Sequence, residues 1–271
     1  MSKFVKIVLI TGAVLVGVGI LVLLIAGFAS NWNFTSSKWE DKLYVCDETD
    51  AFVTTIDIDF AAGTLNVQYY DGDVIKVEYA ENDQITTEIR QVNNTLKIEN
   101  TVRFHVFFGS FNNFPATTVY IPRERDASST RVQLKMKIDA GTIKVGDGEY
   151  SGIDIQVNAG TVNIGDVICL DNFNVKLNAG TVKAGCVTCH GSFTADIDAG
   201  ILKVDFLQQC SDIRLDVSAG TLKLKLAGKQ SDYTIRADVS AGSCNVKSQQ
   251  GGGKRLDVDV SAGSVKVTFE Q

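Results

Sequence analysis

The stretch IDIQVNAGTVNI at residues 153–164 decides the fold, because its pattern returns seven more times along the chain. Apolar residues alternate with polar ones on both sides of the central Ala-Gly, at Ile153, Ile155, Val157, Val162 and Ile164. A period of two is typical of strands with one buried face. Glycine permits a positive φ or a close backbone approach at the centre. Each copy therefore predicts a strand, a tight corner and a second strand.

The spacing of the copies predicts how they assemble. Their glycines are Gly63, Gly141, Gly160, Gly180, Gly200, Gly220, Gly242 and Gly263, and from Gly141 onward the intervals are 19, 20, 20, 20, 22 and 21 residues. Such a period indicates stacked repeats. A β-solenoid and an antiparallel meander of hairpins both fit. Identical residue types at identical offsets favour the solenoid, because its rungs place equivalent residues in columns about 4.8 Å apart.

The region between Gly63 and Gly141 is less regular. It spans 78 residues, about four rungs' worth, and strands are predicted at 74–79, 86–92, 95–102 and 117–122. In the regular copies, the Asp, Asn or Ser before Ala-Gly is expected to bond its own backbone and shape the corner.

The N-terminal region contains a predicted membrane span. Residues 7–29 carry no charge over 23 positions, which is long enough for a transmembrane helix. Lys3 and Lys6 precede it, so the N-terminus is expected in the cytoplasm and the rest outside. A signal peptide cleaved after Ala29 is the alternative, but the apolar run is longer than usual for one.

These observations give predicted boundaries and exclude one class of partner. The parts are a cytoplasmic N-terminus (1–6), a transmembrane helix (7–29), a juxtamembrane linker (30–50), an irregular start of the solenoid (51–133) and its regular repeats (134–271). The net charge is -6 and the basic residues are scattered. A nucleic-acid binder would need a basic stripe, so none is expected.

The stretch TVYIPRERDASSTRVQLKMKIDAGTIKV (118–145) leads into repeated x-A-G-[TS]-hydrophobic-x-hydrophobic units. This arrangement resembles the "putative adhesin" family of β-strand-repeat proteins of bacterial envelopes, which includes LiaG-like, membrane-anchored proteins of envelope-stress loci. The resemblance covers roughly residues 50–271. It implies a right-handed β-solenoid at the cell surface and transfers no catalytic residues.

The motif CVTCH at 186–190 matches the c-type haem attachment pattern. The repeat offsets favour another interpretation, in which the motif is the turn between two strands of one rung and Cys186 faces the core. Cys244 falls at a core position, where cysteine serves as a small hydrophobe. No cofactor is predicted.

Four further side chains are expected to cluster at one edge of three successive rungs, namely Cys169, Cys189, His190 and Cys210. Three interpretations stay open. The favoured one is buried turn packing. A Cys169–Cys189 disulfide comes next, since one rung lies within bridging distance. A zinc site made of these thiols and the imidazole comes last.

Two outward columns of charge follow from the offsets. The basic one contains Lys144, Asn163, Lys183, Lys203, Lys223, Asn245 and Lys266, and the acidic one Asp196, Asp216, Asp238 and Asp259. Both suit a solvated surface. Evenly spaced lysines also suit a face that binds an anionic wall polymer. Carboxylate catalysis needs two such groups in a cleft, which a flat face does not offer.

The stretch RFHVFFGSFNNFPA (103–116) interrupts the pattern. Its aromatic residues are Phe104, Phe107, Phe108, Phe111 and Phe114. They are expected either to fold back over the solenoid or to form an exposed patch for a partner or the membrane surface.

Together these features predict a single-pass membrane protein whose extracellular β-repeat domain binds, scaffolds or senses envelope stress without catalysis. The expected partners are the membrane, a cell-wall polymer or another envelope protein. Self-association is expected through the unpaired edges of the last rung, 256–269. A carbohydrate-active β-helix enzyme and a Cys/His metal or redox module are the alternatives.

Overall fold

The computed structural model describes residues 38–46, 53–103, 115–123 and 131–270. Over these ranges the chain is an all-β, solenoid-like stack of rungs around one apolar core. The alternation in the sequence decides which side chains enter the core. Ile153 and Val157 are fully buried, while Asp154 and Gln156 between them are half-buried on the outer side.

Within these ranges the chain forms 21 strands and a short 3-10 turn at Gln230–Asp232. The strands are β1 (Glu40–Val45), β2 (Thr55–Phe60), β3 (Thr64–Tyr70), β4 (Lys76–Glu81), β5 (Ile85–Val92), β6 (Thr95–Val102), β7 (Thr117–Pro122), β8 (Gln133–Ile138), β9 (Thr142–Val145), β10 (Gly148–Tyr150), β11 (Gly152–Ile164), β12 (Val167–Cys169), β13 (Phe173–Cys189), β14 (Ser192–Ile197), β15 (Ile201–Gln208), β16 (Asp212–Val217), β17 (Thr221–Ala227), β18 (Tyr233–Val239), β19 (Ser243–Cys244), β20 (Lys254–Val260) and β21 (Ser264–Glu270).

The strands stack in two long parallel layers. The first layer holds the strands before each Ala-Gly corner, in the order β6–β2–β8–β11–β13–β14–β16–β20–β18. The second layer holds the strands after the corner, in the order β7–β3–β9–β11–β13–β15–β17–β21–β19. A short third layer joins β10, β12 and the end of β13. This parallel, in-register pairing is that of a solenoid and not of a meander.

Each Ala-Gly corner lies directly on the corner of the neighbouring rung. Gly180 has a φ of 114°, and a Cβ on it would lie 2.2 Å from the carbonyl oxygen of Gly160. Glycine is needed for both reasons. At two corners the polar side chain does not behave as expected, because Asn158 and Asn178 each bond their counterpart in the preceding rung instead of their local backbone. Asn178 Nδ2 donates to Asn158 Oδ1 at 2.8 Å.

The last two repeats exchange places in the stack. β20 lies between β16 and β18, and β21 lies between β17 and β19. The repeat 256–267 is therefore an interior rung, and the repeat 235–246 is the outermost one. The prediction that 256–269 forms the terminal rung with unpaired edges is wrong, because both of its strands are flanked by neighbours.

The segment after β19 covers part of the outermost rung. Ile235 and Gln249 exchange backbone hydrogen bonds of 3.0 and 2.9 Å. Beside β21, beyond the end of β19, the side chain of Asn245 makes hydrogen bonds like those of a neighbouring strand. Its amide donates to the carbonyl oxygen of Val267 and accepts from the N–H of Val267, each at 2.7 Å. This end of the stack is thus partly capped, contrary to the expectation of an uncapped end.

The irregular N-terminal part contains the four predicted strands, but these strands do not form four rungs. β6 and β7 make one parallel rung, on which β5 and β4 pair antiparallel, and β1 pairs antiparallel with β4. Antiparallel strands cannot continue the parallel stack, so they cap this end. β1 lies within residues 30–50, a region predicted to be a linker.

Some predictions fall outside the described residues. These are the membrane span at 7–29 and the aromatic residues Phe104, Phe107, Phe108, Phe111 and Phe114. Among the residues that are described, no helix has the length and apolar character needed to cross a bilayer.

Candidate binding surface

The predicted lysines form a continuous column on the outside of the second layer. This lysine column comprises Lys144, Asn163, Lys183, Lys203, Lys223 and Lys266, each the register partner of the next. Its five lysines are exposed, and Asn163 is half-buried. Because the strands are parallel and in register, the ammonium groups repeat at the strand spacing of about 4.8 Å.

The exchanged repeats change the composition of this column. Sequence reasoning placed Asn245 between Lys223 and Lys266, but these two lysines are direct register partners. Lys183 and Lys203 precede them, so four consecutive rungs each present a lysine. No local signal in the sequence indicates this, since the exchange depends on which strands pair.

Most of this positive charge is not neutralised nearby. Lys203 pairs with Asp205 at 2.5 Å in its own strand, and Lys225 in the adjacent column pairs with Glu270 at 3.1 Å. Within the described part of the chain, Lys183 and Lys223 make no ion pair. Exposed pairs contribute little free energy, so these ammonium groups remain available to an anionic ligand.

The outside of the first layer carries the aspartate column. Its four members follow the stacking order Asp196, Asp216, Asp259 and Asp238. Lys176 lies 3.8 Å from Asp196 at one end. Burial raises the pKa of Asp216, and the like charges of Asp259 and Asp196 raise it further. The two outer faces therefore carry columns of opposite charge over the same rungs.

Cavities on the outer face of the first layer are small. Three of them have volumes of about 240, 170 and 290 Å³, below the usual range for ligand pockets. Charged side chains line them, among which Arg214, Arg255 and Asp257 are shared by the first two.

Three of the predicted cysteines come together inside the stack. Cys169 and Cys189 are register partners, and Cys210 lies close enough to Cys189 for the two thiols to influence each other's pKa. Their exposed fractions are 0%, 0% and 2%. We call these three residues the thiol column. All six cysteines of the chain are free thiols in the structure.

Cys210 enters this column through a local change of backbone. Its offset matches that of His190, which is exposed. Gln209 adopts a φ of 60°, and Cys210 is turned inward, with its Sγ 3.4 Å from the carbonyl oxygen of Gly191. Sequence reasoning aligned Cys210 with His190 and missed this turn.

Burial and the Cys189–Cys210 contact shape the acidity of the thiols. Burial raises the pKa of Cys169 to about 12. The neighbouring Cys189 thiol and burial raise the pKa of Cys210.

The structure does not gather the proposed Cys/His zinc ligands. His190 is exposed while the three thiols are buried. Among the described residues, no group of three or more His, Cys, Asp or Glu side chains is arranged to hold a metal ion.

The CVTCH motif lies in a strand and not in a turn. β13 continues to Cys189, and Val187 is fully buried while Cys186 is half-buried. The Cys186 N–H donates to Asp166 Oδ1 at 2.8 Å. Thus Val187 takes the core position that the sequence assigned to Cys186.

A comparison with models of protein families shows where this chain belongs. A family model described as Toastrack DUF4097 matches residues 53–271. The chain belongs to the Toastrack family. Two solved structures similar to this Toastrack protein are "a putative cell adhesion protein" from Clostridium sporogenes and "a putative adhesin" from Bacteroides fragilis.

The likeness to these solved structures is remote. The Clostridium protein shares 11% identity, with a TM-score of 0.41, over 86% of this Toastrack chain and 100% of its own. The Bacteroides protein shares 13% identity, with a TM-score of 0.45, over 86% of this chain and 98% of its own. A comparison with curated proteins gives no match.

Proposed function

We propose that this Toastrack protein is anchored in the cell membrane by residues 7–29 and acts outside the cell by binding, without catalysis, an anionic polymer of the envelope. The observation that carries the proposal is the run of exposed lysines on four consecutive rungs, Lys183, Lys203, Lys223 and Lys266. A role in adhesion or in LiaG-like envelope-stress sensing would use the same surface. The apolar run at 7–29 supports the location.

The lysine column suits a polymer better than a small molecule. Its ammonium groups repeat along a straight line, about 4.8 Å per rung, and no enclosing pocket surrounds them among the described residues. A chain that carries regularly spaced phosphates or carboxylates can contact several rungs at once. Each contact is weak, so binding depends on their number and on ionic strength.

The test measures binding of purified wall teichoic acid, a poly(alditol phosphate), to the full chain in nanodiscs of zwitterionic lipid. Changing Lys183, Lys203 and Lys223 together to Gln removes three contacts. We expect the dissociation constant to rise about tenfold at low salt, and the difference to shrink as salt is added.

A matched variant separates the column from net charge. Lys135, Lys137 and Lys176 lie on the outside of the first layer, and changing all three to Gln alters the charge by the same amount. We expect this variant to bind as the unchanged chain does. The proposal would be contradicted if both variants bound the polymer equally weakly, or if neither variant bound it more weakly than the unchanged chain.

A further inference from the structure

The outer edge of the outermost rung is closed mainly by side chains. We call residues 247–253, which lie along β18, the strap. One β-bridge joins the strap to β18, between Ile235 and Gln249. Beside it, the hydroxyl of Ser248 accepts a hydrogen bond from the Ala237 N–H at 2.9 Å and donates one to the Ala237 carbonyl oxygen at 3.1 Å. A single side chain thus satisfies a backbone position that another strand would otherwise satisfy.

The strap is held mostly by polar contacts. The side-chain amide of Gln249 donates to the carbonyl oxygens of Tyr233 at 3.1 Å and of Gln230 at 2.7 Å. Five of the seven strap residues are exposed, so the strap gains little stability from burial. It ends in three glycines, 251–253, and glycine loses more conformational entropy on ordering than any other residue. The strap is therefore a weakly held cover.

Under the strap, the backbone of β18 has the form of a strand edge. The backbone groups of successive residues point to opposite sides of a strand. Because Ile235 and Ala237 bond to the strap, these two residues and Val239 direct their backbone groups away from β20. Val239 is also 39% exposed. A row of outward donors and acceptors is a template on which another strand can pair.

The side chains of β18 suit a second copy of the same strand. In an antiparallel pair centred on Ala237, this residue faces its own counterpart, and the outward backbone groups of the two copies meet. Arg236 of each copy then lies opposite Asp238 of the other, and both residues are exposed in the single chain. Opposite charges directly across an antiparallel pair stabilise it. The edge is therefore complementary to itself, as a two-fold interface requires.

We propose that the outermost rung is a latent self-association surface, on which β18 pairs antiparallel with β18 of a second copy when the strap moves aside. The strap is the contact that keeps this surface closed. The strands β1 and β4 lie at the other end of the stack, and β1 follows the proposed membrane anchor. Two paired copies therefore extend toward opposite membranes, and only this orientation rests on the proposed function.

The experiment measures the pairing of full chains, each in its own nanodisc of zwitterionic lipid, by sedimentation velocity with no polymer present. The strap variant combines Ser248→Ala with Gln249→Ala and removes the side-chain hydrogen bonds that hold the strap on β18. Each such bond shifts an equilibrium roughly fivefold. We therefore expect the dissociation constant of the disc pairs to be at least about tenfold lower for the strap variant than for the unchanged chain.

A matched control makes the same two exchanges inside the stack. Ser192→Ala with Gln133→Ala removes side-chain hydrogen bonds of interior rungs and is expected to pair no better than the unchanged chain. Two changes made in the strap variant test the register. Adding Asp238→Arg places like charges opposite each other and is expected to abolish pairing, and adding Arg236→Asp as well is expected to restore it.

Three results are decisive. If the folded strap variant pairs no better than the control, the proposal is overturned, and the edge is left to a strand of another protein. Pairing that persists after Asp238→Arg would also overturn it, because charge would not set the register. Should the strap variant misfold by circular dichroism, Ser248→Ala alone is measured in its place, with a smaller expected gain. Loss or retention of polymer binding does not affect these results, since no polymer takes part.

Discussion

At the scale of single residues, the corner glycines carry a constraint that no other residue type meets. Gly63, Gly141 and Gly180 have φ values of 117°, 122° and 114°. Each corner also packs against the backbone of the next, so a Cβ on Gly141 would lie 2.3 Å from the carbonyl oxygen of Gly63. The sequence predicted this role for glycine, because only a backbone requirement explains one residue type at every corner.

Replacing Gly180 with Ala should destabilise the fold by about 1–3 kcal/mol, since the φ becomes strained and the new methyl meets the Gly160 carbonyl. Urea unfolding measures the change in the free energy of unfolding. Gly253→Ala is the matched control, because nothing lies within 4 Å of its added Cβ. Equal stability of the two variants would show that the corner tolerates a side chain.

Asp216 gives a prediction about pH. Its pKa is raised by burial, then by Asp259 and Asp196, with Arg214 opposing. The folded chain thus holds this proton more tightly than the unfolded chain does. The ionised group therefore disfavours folding, an effect absent below the unfolded pKa of about 4 and developed as the pH rises through the folded pKa.

Asp216→Asn should accordingly raise the unfolding temperature at pH 7, and its advantage over the unchanged chain should vanish near pH 4. Thermal unfolding followed by circular dichroism across this range measures both. Asp238→Asn, at the outer end of the aspartate column with one column neighbour, should gain less. A lower unfolding temperature for Asp216→Asn at pH 7 would contradict this account of the column.

The thiol column shows where residue-level prediction stops. The alignment of Cys169 with Cys189 follows from a constant repeat length, and the structure confirms it. The inward turn of Cys210 depends on the left-handed backbone of Gln209. Glutamine rarely adopts a positive φ, so the sequence did not indicate this left-handed conformation.

At the scale of strands, the positions of the strands were predictable from the sequence, but the pairing between strands was not. Alternating apolar residues are a local property, and strands at 74–79, 86–92, 95–102 and 117–122 appear within a few residues of their expected positions. Pairing is a property of distant segments. The repeats 235–246 and 256–267 both contain Asp-Val-Ser-Ala-Gly, so the sequence of either repeat is compatible with pairing on β16 and β17.

Hydrogen exchange tests the exchanged order directly. β20 is flanked by β16 and β18, whereas β18 has β20 on one side and a single bridge at Gln249 on the other. Amides of 256–260 should therefore exchange more slowly than amides of 235–239.

The controls for this exchange experiment are β14 and β16, which both lie inside the stack and should be similarly protected. Mass spectrometry of peptic peptides resolves these segments. Slower exchange in β18 than in β20 would restore the order of the sequence and place Lys266 at the end of the stack.

At the scale of the whole molecule, the two outer faces differ from each other, and so do the two ends of the stack. One face presents the lysine column and the other the aspartate column over the same rungs. One end is closed by the antiparallel strands β5, β4 and β1, and the other by the thinner cover of residues 245–253. The columns were predictable because a repeat projects each offset onto one line. The ends were not, since capping strands lie outside the repeat.

The exchanged repeats also constrain the order in which the chain can fold during synthesis. Residues 233–244 are synthesised before 254–270 but belong further from the centre of the stack. The surface of β16 and β17 must stay vacant, or be vacated again, until the later segment arrives. Synthesis order and spatial order therefore conflict here, as they do at the other end of the stack, where β6 and β7 lie outside β2 and β3.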